Sequence, residues 1–151
     1  LAHLGVALFV IGVTFTESMN LQKDLRMELG DTVTLSDYTF TFGGAKQNQG
    51  PNYTGYKGFI TVTRDGQEVA VLEPEKRVYT VRGMPMTEAG IDAGLFRDLF
   101  VALAEPLENG AWSLRVYYKP FIRWIWLGCI FMGLGGLIAI IDRRYRLKVA
   151  T

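Results

Sequence analysis

One histidine and one cysteine occur in the 151 residues, and both fall in apolar runs near the chain ends. His3 stands in LAHLGVALFVIGVTFT, residues 1–16, and Cys129 in FIRWIWLGCIFMGLGGLIAII, residues 121–141. An ionisable side chain in such a run is a functional candidate, because hydrocarbon penalises it unless it meets protein, water or a cofactor. A neutral imidazole there can serve as an axial ligand to haem iron or handle protons. It can equally hydrogen-bond a neighbouring helix, or lie beyond the membrane if the span is cut short. At about 1.5 Å per residue, the 13 residues from His3 to Thr16 put it roughly 20 Å from the helix end. Ala2, Gly5 and Gly12 would let another helix or a flat cofactor come close. A bis-histidine site would need its second imidazole from outside this sequence. The solitary Cys129 precludes an intrachain disulfide.

The middle of the chain holds neither His nor Cys. It therefore offers no Ser–His–Asp or Cys–His set, and it has no phosphate-cradling glycine loop ahead of a helix. Met84 and Met86 bring two thioethers without a nitrogen or thiol beside them, a weak metal set, so loop or core methionines are the ordinary reading. Glu73-Pro74-Glu75-Lys76-Arg77 reads as a solvated turn leading into a strand. Arg123, Trp124 and Trp126 follow Pro120, as in an aromatic belt with a snorkelling arginine; a lipid, quinone or partner-helix contact is the alternative. Gly128, Gly133, Gly135 and Gly136 form a small-residue face suited to packing another helix.

Those residues have to be positioned by two spans and the domain between them. The run at 121–141 has the roughly 20-residue length needed to cross a hydrocarbon core of about 30 Å. The run at 1–16 is shorter, with neither a basic leader nor a small-residue cleavage site. It is expected to be a transmembrane helix truncated at its N-terminal end, the chain being part of a larger membrane protein. Four basic residues in 142–151 (Arg143, Arg144, Arg146, Lys148) abut the second span, which predicts a cytoplasmic C-terminus. Residues 17–120 would then lie in the periplasm, outside a bacterial inner membrane. The formal net charge is +1. Without a basic patch in its middle segment, the chain is not expected to bind nucleic acid.

Residues 17–120 carry a β pattern. Thr32–Ser36 and Tyr38–Phe42 alternate polar and apolar side chains at period two. Phe59–Thr63 and Gln67–Leu72 flank Asp65-Gly66, whose positive φ angles suit a type I′ hairpin turn. Arg77–Val81 forms a further strand, and Leu99–Ala104 and Trp112–Tyr118 bracket a turn at 105–110. For 87–98, strand–turn–strand is preferred to a capped helix, because Gly90 and Gly94 would each cost about 1 kcal/mol in a helix interior. Residues 43–58 read as a long loop or a bulged hairpin arm. The expected architecture is a mainly β domain, a small antiparallel barrel or sandwich of about seven or eight strands, flanked by two transmembrane helices.

Several segments resemble CcmF, the large membrane subunit of the bacterial cytochrome c maturation system. They are AHLG (2–5), LQKDLRMELGDTV (21–33), GPNYTG (50–55), GMPMTEAGIDAGLFRDLFVAL (83–103), ENGAWSLRVYYKPFIRWIWLG (108–128) and DRRYR (142–146). The nitrite-reductase maturation paralogue shares much of this pattern. The resemblance implies a haem lyase that receives haem from the chaperone CcmE. It would join the haem vinyl groups through thioether bonds to a CxxCH motif in apocytochrome c. It also implies a b-type haem held in the membrane by two histidines, of which His3 would be one, the other lying outside this chain. The implied partners are the remaining helices of the parent protein, a CcmH-type thiol partner, CcmE and apocytochrome c. The tryptophan-rich haem-binding segment of the family is not in this sequence, so no self-contained active site is expected. The alternative reading is non-enzymatic: a membrane-anchored periplasmic interaction module whose histidine binds nothing.

Overall fold

The computed structural model describes residues 1–81 and 83–141, which fall into a helical unit and a β unit. Arg82 and residues 142–151, the basic tail on which the topology argument rests, lie outside the described residues.

The β unit has ten strands among the described residues. They are β1 (Leu21–Met27), β2 (Thr32–Leu35), β3 (Tyr38–Gln49), β4 (Tyr53–Arg64), β5 (Gln67–Leu72), β6 (Glu75–Tyr79), β7 (Pro85–Glu88), β8 (Gly90–Ala93), β9 (Arg97–Pro106) and β10 (Trp112–Pro120). They form two separate sheets. One runs β1-β10-β9-β8, and the other β2-β3-β4-β6-β7 with β5 also paired to β4. The strands do not close into one barrel, so of the two expected architectures the sandwich is realised.

Alternation explains the core. Along β3, Tyr38, Phe40 and Phe42 are buried while Thr39 and Thr41 are only partly so. Phe40 and Phe42 meet Ile60 and Val62 from β4, and Leu99, Val101 and Leu103 from β9 with Leu114 and Val116 from β10 close the other side. Each such side chain taken out of water contributes roughly 1.5–3 kcal/mol before the cost of ordering the chain.

Turn chemistry held where it was legible. Asp65 and Gly66 both have positive φ (52° and 77°), and Arg64 pairs with Gln67 across them. The 87–98 stretch is strand–turn–strand. The 43–58 stretch is a bulged hairpin arm: the β3–β4 register shifts between Phe42 and Ala45, where Gly44 takes φ +88°.

β1 is a strand that alternation did not announce. It is an edge strand with only Met27 buried. Its register on β10 sets Asp24 opposite Arg115, and their side chains pair at 3.0 Å.

The helical unit consists of α1 (Ala2–Met19) and α2 (Ile122–Ile141), with the short segment Gly94–Arg97. Both helices are long and apolar enough to cross a membrane by length and composition.

Candidate functional site

The helix pair positions His3. Gly5 and Gly12 lie seven residues apart on one face of α1, and Gly128 and Gly135 do the same on α2. A β-carbon on Gly5 would lie 2.6 Å from the Met132 backbone nitrogen and 2.7 Å from the Gly128 carbonyl oxygen. On Gly12 it would lie 2.7 Å from the Ile125 nitrogen, and on Gly135 2.5 Å from the Ala2 nitrogen. Contacts that rise in number on α1 fall in number on α2, so the helices are antiparallel with their backbones nearly touching. Only glycine permits that approach. Nothing lies within 4 Å of a β-carbon added at Gly133 or Gly136. The glycine face expected to pack another helix is therefore divided: Gly128 and Gly135 receive α1, and Gly133 and Gly136 do not.

The buried residues of α1 are Gly5, Gly12 and Thr16, and His3 is exposed. Two residues before Gly5, its side chain leaves the helix on roughly the opposite side, since successive residues rotate by about 100°. Val6, Ala7 and Val10 are exposed on the same side of α1. Ala7, one turn along, leaves room beside the imidazole for a flat group. α2 cannot supply the second ligand: it contains no histidine. The donor set thus suits one side of a haem iron in an apolar setting.

The two helices are also tied at the ends nearer Pro120. Thr16 Oγ1 donates to the Pro120 carbonyl oxygen at 2.8 Å. Phe121, a non-glycine residue at φ +55°, turns the chain into α2. Its ring lies 5.0 Å from Phe15 and 5.1 Å from Trp124. Its N–H donates to the Phe96 carbonyl at 2.8 Å, and Trp124 Nε1 donates to the Leu95 carbonyl at 3.1 Å. Of the residues read as an aromatic belt, Trp124 therefore has a specific protein partner, whereas Trp126 is 69% exposed.

The charged run in the β unit departs from expectation. Glu75 is buried at 8% exposure rather than solvated. Its carboxylate receives Arg77 Nε at 2.7 Å and lies 3.4 Å from Lys57 Nζ, which also binds Glu73 at 2.9 Å. Burial alone would raise the Glu75 carboxyl; Arg77 and then Lys57 outweigh it and hold it below the ordinary glutamate range. The hydrogen bond to Glu73 raises Lys57. Arg77 stacks 4.6 Å over the Tyr53 ring. Such a carboxylate, committed to two cations, is a fastening between β4 and β6 rather than a catalytic base. The sequence hid it because the burial of position 75 depends on its pairing with Lys57 across the strands.

Met84 and Met86 line an apolar pocket of about 520 Å³ with Asn52, Tyr79 and Val81. Among the described residues no imidazole, thiol or carboxylate lines it, so it is a poor place for a metal ion.

Comparison with known proteins supplies the context. The family model described as the CcmF C-terminal β-sandwich matches residues 18–120. The cytochrome c-type biogenesis protein CcmF of Pseudomonas aeruginosa is 62% identical over 151 residues, covering 100% of this chain and 23% of that protein. CcmF of Escherichia coli is 50% identical over 149 residues, 99% of this chain and 23% of that protein. The biogenesis protein NrfE of Haemophilus influenzae is 36% identical over 144 residues, 95% of this chain and 23% of that protein. The chain thus spans under a quarter of these relatives' length. A solved structure, "Cytochrome c Heme Lyase CcmF", superposes with a TM-score of 0.76 at 16% identity, covering 93% of this chain and 24% of that one. At that identity the match speaks to the fold alone.

Proposed function

The chain belongs to the CcmF family, and from that premise we propose that it forms the C-terminal part of a cytochrome c haem lyase. In this reading α1 and α2 cross a bacterial inner membrane. Residues 17–120 lie in the periplasm and 142–151 in the cytoplasm. The β-sandwich is a docking or scaffold domain for apocytochrome c, the chaperone CcmE or a CcmH-type thiol partner. His3 is one axial ligand of a b-type haem whose second histidine belongs to the rest of the parent protein. Haem is also the substrate, attached to the CxxCH cysteines by thioether bonds elsewhere in that protein.

The observation that carries the ligand role is the direction of His3. It faces away from α2, exposed on an apolar helix face, so its imidazole is available to a group held by other helices. When bound, a b-type haem supplies one-electron redox chemistry. The chain's own part is to hold the imidazole in place: the glycine seam and the Thr16–Pro120 bond lock α1 against α2 and so limit where His3 can point.

The test is a visible spectrum of the full-length parent protein carrying His3→Ala. Loss of the low-spin b-type signal, with reduced cytochrome c maturation, is the expected result. An unchanged spectrum with normal maturation would remove the ligand role and leave the non-enzymatic interaction module as the better reading.

A further inference from the structure

Hairpin tips are normally built from small or polar residues, since they face water and need unusual backbone angles. The connection between β8 and β9 breaks this rule. It reads Gly94-Leu95-Phe96-Arg97, closed by the Gly94 N–H donating to the Arg97 carbonyl at 2.9 Å, and it lifts two large apolar side chains to its tip. Leu95 is 54% exposed and Phe96 58%. This segment belongs to the helical unit. Both tip carbonyls are taken by the start of α2, Leu95 by the Trp124 indole and Phe96 by the Phe121 N–H. The Phe96 ring lies 5.9 Å from Phe121 and 6.1 Å from Trp124. The tip is thus held in register with the end of an apolar helix. Phe15, 41% exposed, joins the same ring cluster, its ring 5.0 Å from Phe121.

We infer that the Gly94–Arg97 tip is a third membrane contact, inserting Leu95 and Phe96 into the boundary between headgroups and acyl chains at the bilayer surface where α1 and α2 meet Pro120. This rests on the reading that α1 and α2 cross a membrane. The occupant is lipid rather than a protein groove because the exposed tip is continuous, through the Phe121 ring, with exposed Phe15 on α1. The composition also suits an interface: Leu95, Phe96, Phe121 and Trp124 bring aliphatic and aromatic side chains together at the start of α2.

Site-directed spin labelling of the full-length protein in phospholipid nanodiscs, with native cysteines replaced by serine, tests this. Labels would be placed at Leu95→Cys and Phe96→Cys, with Ile130→Cys in the middle of α2 as the lipid reference and Glu68→Cys on β5 as the aqueous one. The expected result is a ratio of oxygen to nickel-chelate accessibility at 95 and 96 several-fold above that at 68, approaching that at 130. An aqueous ratio at 95 and 96 beside a lipid ratio at 130 would overturn the tip contact and leave the spans standing. Protection from both reagents at 95 and 96 would assign the tip to a protein partner and overturn the lipid contact. An aqueous ratio at 130 would instead overturn the spanning reading and the tip contact with it. Leu95→Cys keeps the test informative should Phe96→Cys disturb the ring cluster.

Discussion

The sandwich and the helix pair are both rich in apolar residues, yet they bury opposite things. The sandwich interior is Phe40, Phe42, Ile60, Leu99, Leu103 and Leu114, all fully enclosed. The helix pair buries Gly5, Gly12, Thr16 and Gly128 and leaves Leu4, Val10, Ile130 and Ile138 exposed. In water, removing large apolar surface is the dominant driving force. In hydrocarbon that force is absent, and helices associate through close backbone contact and hydrogen bonds. The contrast follows from what meets what: two sheets enclose large side chains between them, whereas two helices share one seam of small residues.

Substitutions can break this contrast. Phe40→Ala should cost the sandwich about 4 kcal/mol, through lost transfer energy and a cavity. It would be read as a lower denaturant midpoint followed by the fluorescence of buried Trp112. In the helices, Ile138→Ala should move thermal stability in detergent by no more than about 0.5 kcal/mol, because the side chain is largely exposed on α2. A large effect there would mean that the helix exterior is a protein interface.

Gly128→Leu should weaken the helix pair by about 2–3 kcal/mol, because its side chain would enter the backbone of α1. Gly133→Leu, on the open side of α2, should leave the pair intact. Cross-linking between cysteines introduced on the two helices distinguishes them, and equal behaviour would refute the seam.

Arg77→Ala should destabilise the sandwich by about 2 kcal/mol by leaving Glu75 with only Lys57. Because the folded state depresses the Glu75 carboxyl, it binds fewer protons than the unfolded chain. The carboxyl's contribution is complete above the ordinary glutamate value of 4.5 and is lost as pH falls below it. Glu75→Gln should therefore flatten the acid limb of a stability–pH curve. Thr16→Val should cost less than Arg77→Ala, about 1 kcal/mol for the hydrogen bond to Pro120, seen as a slight fall in thermal midpoint.

Much of the fold could be read from local pattern. Asp65-Gly66 announced its hairpin because two positive φ angles are a property of the turn residues themselves. Phe40, Phe42, Ile60 and Val62 announced the core by period-two alternation. β1 escaped because an edge strand buries little, so its side chains need not alternate. The Leu95-Phe96 tip carried a legible signal, an apolar pair where a turn was expected, but its meaning depended on residues almost thirty positions away.

The sequence by itself determined most of the core strands, the two apolar helices, and that His3 stands alone in one of them, since these follow from side-chain chemistry and periodicity along a short stretch. Tertiary structure alone decided that Gly128 and Gly135 rather than Gly133 and Gly136 receive α1, that Glu75 is enclosed, and that His3 points outward. Each of those depends on the register between elements distant in the chain. That register is set by how whole faces fit together, which no local window contains.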